Sequence, residues 1–226
     1  MILNTKVEIV FTRDGSPTLR TEGGIDYHSI HGAMQESRHV FIGSGLQAAL
    51  EKFPEKEPIR VFEMGFGTGL NAFLTALESA EKQREVRYFS IEKHPLPVQI
   101  WMHLSYPKTA EEKDLFASLH AADWNAPVKI SPFFQLHKIW GNLEDLEIPS
   151  PLHLIYFDAF APQDHPGAWT PEIFRKLYDA LLPGGFLVTY CSKGMVRRAL
   201  QSAGFAVEKL SGPPGKREIV RARKPA

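Results

Sequence analysis

Four polar residues stand at the ends of four successive β-favouring runs. Glu63 closes the run from Ile59, Glu92 follows Val86 to Ile91, Asn142 follows Phe133 to Trp140, and Asp158 follows Leu152 to Phe157. In an open parallel sheet the ligand crevice lies beyond the carboxyl ends of the strands. Four such residues at four strand ends are harder to attribute to turn chemistry than any one alone. A carboxylate suits a cation or a pair of hydroxyl donors. Glu92 lies 23 positions beyond Gly69, the spacing at which an acid ending the second strand takes a ribose diol. Between Glu63 and Glu92 lies Gly65-Phe-Gly-Thr-Gly69 and then an apolar run, Leu70 to Leu77. A strand turning into a helix through glycines brings backbone N–H groups and a helix N-terminus up to a ligand.

Spacing narrows the ligand. A dinucleotide fingerprint beginning at Gly65 requires glycine at position 70, where Leu70 stands, and no Lys-Ser or Lys-Thr follows as in a phosphate loop. The remaining pattern, E-x-G-x-G-x-G, resembles the first motif of Rossmann-like S-adenosylmethionine-dependent methyltransferases. There the glycines admit the methionine part of the cofactor, and the acid suits its cationic amino group. On this resemblance the cofactor-binding residues are Glu63, Gly65, Gly67, Thr68, Gly69, Asn71, Glu92, Asn142 and Asp158.

The elements that hold these residues alternate. From Ile59 onward, strands and helices succeed one another, which implies a mainly parallel sheet covered by helices. A helix is expected over 69–83, others around 98–104 and 111–121, and one opening at Pro171 with Thr170 as N-cap. Leu181 to Gly185 reads as a helix end with a glycine stop. Ser192 to Ser202 reads as a helix, and 205–210 with 216–222 as a closing antiparallel pair. The expected architecture is α/β, a Rossmann-like sheet of seven mostly parallel strands with a C-terminal antiparallel hairpin, over residues 58–226. Residues 1–57 read as a small β-rich extension. In it Val7 to Phe11 alternates, Glu36 to Gly43 is expected as a strand, and Gly45 to Lys52 as a helix.

Composition sets outer limits. A chain of 226 residues, 43% hydrophobic, can bury a full core. No run approaches ~18 uninterrupted apolar residues, and the start lacks the character of a signal peptide, so a cytoplasmic home is expected. A single cysteine, Cys191, excludes an internal disulfide and a Cys-rich zinc site; no metal is expected. Burial is its expected state. Formal net charge is zero, yet 193–226 holds nine Lys or Arg against two Glu, a net +7. That asymmetry is equally the signature of a polyanion-binding end and of a solvated helix face with a basic tail.

Several stretches together resemble the methyltransferase half of the bifunctional MnmC family, which makes 5-methylaminomethyl-2-thiouridine at the wobble position of certain tRNAs. These are Glu63 to Asn71, Ile91 to Pro95, Phe157-Asp-Ala-Phe-Ala-Pro162 with Trp169, Pro183-Gly-Gly185, Ser192 to Phe205, Gly215-Lys-Arg-Glu218 and Ser37 to Phe41 with Gly43. Asn142 departs from the Asp that the family tends to have. The resemblance implies methyl transfer from S-adenosylmethionine to the aminomethyl nitrogen of 5-aminomethyl-(2-thio)uridine, with Asp158 as the catalytic residue. Phe160, Pro162 and Trp169 would meet the base, and Lys193, Arg197, Arg198, Lys216 and Arg217 the anticodon-loop phosphates. No oxidase half is present, which leaves room for a separate FAD-dependent oxidase acting upstream. A polyamine-type aminopropyl transferase and a non-catalytic module binding the cofactor or tRNA are the alternatives.

Overall fold

The computed structural model describes residues 7–226. Its main sheet has eight strands: β3 (Ile59–Met64), β4 (Val86–Glu92), β5 (Pro127–Ser131), β6 (Phe134–Trp140), β7 (Leu152–Phe157), β8 (Leu181–Thr189), β9 (Ala206–Ser211) and β10 (Glu218–Arg223). Their spatial order is β5-β6-β4-β3-β7-β8-β10-β9. The central pairs are parallel, and β5, β9 and β10 run antiparallel to their neighbours. β7, with every residue buried, is the continuous apolar run that a strand covered on both faces requires.

Register explains why the four polar residues converge. Met64 pairs with Phe157, so Gly65 and Asp158 leave adjacent strands side by side. Glu92 pairs with Trp140, which sets the turn to Asn142 beside it. The chain order reverses between β3 and β7, so the crevice opens at a topological switch point.

Two helices follow the expected signals closely. α5 (Ala110–Ala121) is capped by Thr109, whose hydroxyl accepts from the Glu112 N–H, and α6 (Pro171–Ala180) by Thr170, which accepts from the Ile173 N–H. α3 (Leu70–Glu81) begins after Gly69, and α4 is only Val98–Trp101. The glycine stop expected at 181–185 is instead the start of β8. It follows α6 directly, and Gly184 at φ +78° lies where the strand pairing is irregular. The edge strand β5 raises the expected seven strands to eight.

The N-terminal part departs most from expectation. β1 (Val7–Phe11) and β2 (Pro17–Thr21) form a separate hairpin. The strand expected over 36–43 is helix. One helical run comprises α1 (Ala33–Ser37), a π-helical stretch (Arg38–Gln47) and α2 (Ala48–Lys52). Val40, Phe41, Ile42 and Leu46 are buried, with Phe41 against Tyr156 of β7. Burial against the sheet overrides the β-favouring composition of His39 to Ile42. Gly45 permits the close approach: a Cβ there would lie 3.0 Å from Tyr156 and 3.1 Å from Val188.

Candidate active site

The turn after β3 is shaped by three left-handed glycines, Gly65 at φ +90°, Gly67 at +50° and Gly69 at +74°. The Gly65 and Phe66 N–H groups donate to the Ile91 carbonyl at 3.0 and 3.2 Å, tying the turn to β4. Glu92 holds it from the other side: one carboxylate oxygen accepts from the Gly67 N–H at 2.9 Å, the other from the His94 N–H at 2.7 Å. Each oxygen keeps a lone pair for a ligand.

Behind the turn lies a support that sequence reading missed. The His120 Nε2 donates to the Thr68 carbonyl at 3.1 Å, and its ring stacks on Trp101 at 4.8 Å. Burial pushes this imidazole down to about 3, so it is neutral. Lys138, 1% exposed, donates to the His120 carbonyl and lies 4.6 Å from the Trp124 ring centre. Burial lowers it to about 8. These residues are far apart in sequence and carry no local motif.

A cavity of about 600 Å³ opens on this edge of the sheet. Gly65, Gly67, Thr68, Asn71, Glu92, Asn142, Asp158 and Phe160 all line it, so the structure brings together the expected cofactor residues except Glu63 and Gly69, and of the expected substrate residues Phe160 alone. Asn142 donates to Asp145, another wall residue, at 3.3 Å. The Asn71 amide nitrogen donates to the Asp158 carboxylate at 2.8 Å, while its carbonyl oxygen is buried without a partner. Asp158 is pushed up to about 7, first by burial and then by the nearby Glu36 carboxylate; Asn71 and Lys216 pull the other way.

Other expected residues lie elsewhere. Glu63 is 1% exposed and accepts from Ser90 at 2.7 Å, so it stands beneath the cavity rather than in its wall. Burial raises its carboxyl to about 8. Gly69 lies under the turn at the start of α3. Trp169 is 3% exposed, packed on Phe157, and donates to the Phe160 carbonyl at 2.8 Å. It props the loop from behind and presents no open face. Pro162 is buried as well. Cys191 is buried, and burial pushes its thiol up.

Of the basic residues, Lys193 and Arg198 on and before α7 (Gly194–Ser202) are exposed, as is Arg217; Arg197 is half-buried. Lys193 bonds Gln163, next to the wall residues Asp164 and His165. Lys216 turns inward and pairs with buried Glu36. Lys209 pairs with Glu218, and Arg221 and Arg223 with Glu208, so part of the C-terminal charge serves the hairpin itself.

The N-terminal hairpin contributes wall residues that no motif announced. Tyr27 and His28 follow its second strand and line the cavity. The Tyr27 ring meets Phe160 edge-on at 5.1 Å and lies 3.6 Å from where a Gly67 Cβ would stand. His28 is bonded to Thr18 at 2.8 Å, and burial lowers its imidazole to about 4.

A family model described as an S-adenosyl-L-methionine-dependent methyltransferase matches residues 135–225. The tRNA 5-methylaminomethyl-2-thiouridine biosynthesis bifunctional protein MnmC of Thiobacillus denitrificans is 31% identical over 228 residues, covering 93% of this chain and 35% of that protein. The chain thus spans about a third of the length of the curated relative it matches. The crystal structure of MNMC2 from Aquifex aeolicus is 26% identical and superposes with a TM-score of 0.78, covering 97% of this chain and 71% of that one. Spermidine synthase from Thermotoga maritima, 15% identical with a TM-score of 0.59 over 97% of this chain and 69% of its own, shares the fold.

The fold is therefore that of the Rossmann-like methyltransferases, and the cofactor is S-adenosylmethionine. The wall fits that group. Glu92 offers carboxylate lone pairs for a diol, the glycine turn leaves room where side chains would stand, and the buried Asn71 oxygen lacks a donor. No helix among the described residues is long and apolar enough to cross a membrane.

Proposed function

We propose that this S-adenosylmethionine-dependent methyltransferase, similar to MnmC across nearly its whole length, methylates the aminomethyl nitrogen of 5-aminomethyl-(2-thio)uridine at the tRNA wobble position. The observation that carries the reading is the Asn71–Asp158 contact at 2.8 Å in the cavity wall, beside the glycine turn. It sets one carboxylate oxygen and leaves the other for an amine.

The bound cofactor supplies an electrophilic methyl that needs no further activation. The protein must present a neutral amine in line with it. A free alkylamine resembles lysine, with a pKa of about 10.4, and an ordinary Asp lies near 3.9, a gap of ~6 units. Asp158, pushed up to about 7, halves that gap. It accepts a hydrogen bond from the amine, aims the lone pair, and stabilises positive charge developing on nitrogen. The proton released then lies beside a carboxylate able to hold it.

Phe160 and Tyr27 offer aromatic edges at the mouth for an unstacked base. Lys193, Arg198 and Arg217, exposed in the basic C-terminal part, would meet phosphates. Glu92 and Asn142 would hold the ribose and the adenine of the cofactor. A separate FAD-dependent oxidase would supply the primary amine.

The test is transfer of labelled methyl to tRNA carrying 5-aminomethyl-2-thiouridine, with unmodified tRNA and putrescine plus decarboxylated cofactor as controls. Label confined to the aminomethyl tRNA is the expected result. Label transferred without that group, or product only with the diamine, would overturn the reading.

A further inference from the structure

Three segments remote in sequence meet beside Ala159, the chain neighbour of Asp158. Glu36 comes from the N-terminal helical run, Lys216 from the β9–β10 loop, and Tyr190 from the end of β8. Glu36 is 5% exposed, and its carboxylate takes both the Lys216 ammonium and the Ser29 N–H, the latter at 2.8 Å. The Lys216 Nζ also sits 4.0 Å from the Tyr190 ring centre, and the Tyr190 hydroxyl donates at 2.8 Å to the carbonyl of Ala159, next to Asp158. The loop carrying Lys216 has little freedom. Gly215 has φ +86°, and a Cβ there would collide with the His31 ring.

We propose that the Glu36–Lys216 pair is a positioning device for the reaction, bracing the wall around Asp158 and governing whether that carboxyl carries a proton. It rests on the role given to Asp158 above. It also reassigns Lys216, which serves the site from within and not a phosphate from without. Glu36 is buried and Lys216 half-buried, and taking a carboxylate out of water beside a second one is costly unless it is paired. Proximity to Asp158 gives the pair its role, since opposite charges at short range shift a neighbour's proton in opposite senses.

Asn71 of α3 bonds Asp158, and the charged and titratable groups that act on it or on the pair are Glu63 from β3, Tyr88 from β4, Tyr190 after β8, His28 from the cavity wall, and the pair itself. Of these, Glu36 raises the Asp158 carboxyl, and Lys216 lowers it. Removing Glu36 as E36Q should therefore lower the Asp158 titration. Removing Lys216 as K216M exposes Asp158 to an uncompensated Glu36 and should raise it. A pair that only held the fold together, too far away to act on Asp158, would leave the titration unmoved in both variants.

The full chain, labelled with 13C at the aspartate carboxyls, reports this directly by NMR titration, with D158N assigning the resonance. The expected shifts are about half a unit or more, down for E36Q and up for K216M, with K216R close to wild type. The acid limb of the methyl-transfer rate should move in the same directions. The inference is overturned if both variants move the titration the same way, if neither moves it, or if K216R moves it as far as K216M. The titration needs no substrate, so the absence of tRNA methylation would count against the proposed function alone.

Discussion

The two walls of the cavity are built by different means. The cofactor wall, Gly65 to Asn71 with Glu92, is made by one strand–turn–helix unit and the end of the neighbouring strand. Its contacts are backbone N–H groups held by near neighbours, such as the Gly67 N–H on Glu92. The wall around Asp158 is made by side chains from separate places, Tyr27, Asn71 and Phe160, and Tyr190 with the Lys216–Glu36 pair adjoins it through the Ala159 carbonyl. On the proposed function the first wall recognises a group common to many enzymes, for which backbone suffices. On the same proposal the second manages a proton and a particular acceptor, which calls for titratable side chains. Damage to the first should therefore appear in cofactor affinity and folding, and damage to the second in rate and pH dependence.

The largest expected effect lies at Asp158. D158A should lower the single-turnover rate by about 10²–10³-fold, the loss typical of removing one preorganised transition-state partner. Cofactor affinity by calorimetry should be largely retained, because Glu92 and the glycine turn are untouched. D158N keeps the shape without the charge and should lose nearly as much. Near-normal turnover in either variant would remove the division between the walls.

The second effect belongs to the cofactor wall. Gly69 combines φ +74° with a Cβ position 2.8 Å from His120 Nε2 and 3.2 Å from the Phe66 ring. G69A forces strain of about 1–3 kcal/mol or displaces the imidazole that holds Thr68. At about 2–4 °C per kcal/mol for a chain of this size, the melting temperature should fall by several degrees. Cofactor affinity should fall with it. G23A, at an exposed turn with only one ordinary contact, should do neither.

How much could be read from sequence follows the same division. The strand ends, the glycine turn and the cap at Thr170 rest on local rules, and register then delivers Gly65 and Asp158 side by side. Trp169 and Glu63 have the right residue types near the right strands. Whether each faces the cavity or the core is decided by packing, and packing buries both. The helix over 33–52 is hidden for a related reason. His39-Val-Phe-Ile42 is β-favouring by composition, and only the sheet surface beneath Phe41 and Gly45 selects the helix. Tyr27, His28 and Glu36 belong to that same N-terminal part. No spacing links them to Asp158, because the meeting is made across more than a hundred residues of chain.

The smallest expected effect tests the outer rim. Lys193 and Arg198 are exposed, whereas Lys216 is turned inward on Glu36. Removing one cation from a phosphate should lower the slope of log affinity for tRNA against log salt by about 0.7–0.9. K193A and R198A should each do so, with a modest drop in affinity at fixed salt. K216M should leave the slope unchanged while moving the pH profile, since its charge is already committed to a carboxylate. Filter binding or fluorescence anisotropy over a salt series measures this without turnover. A K216M slope reduced as much as that of R198A would place Lys216 on the tRNA and return it to the outer face of the site.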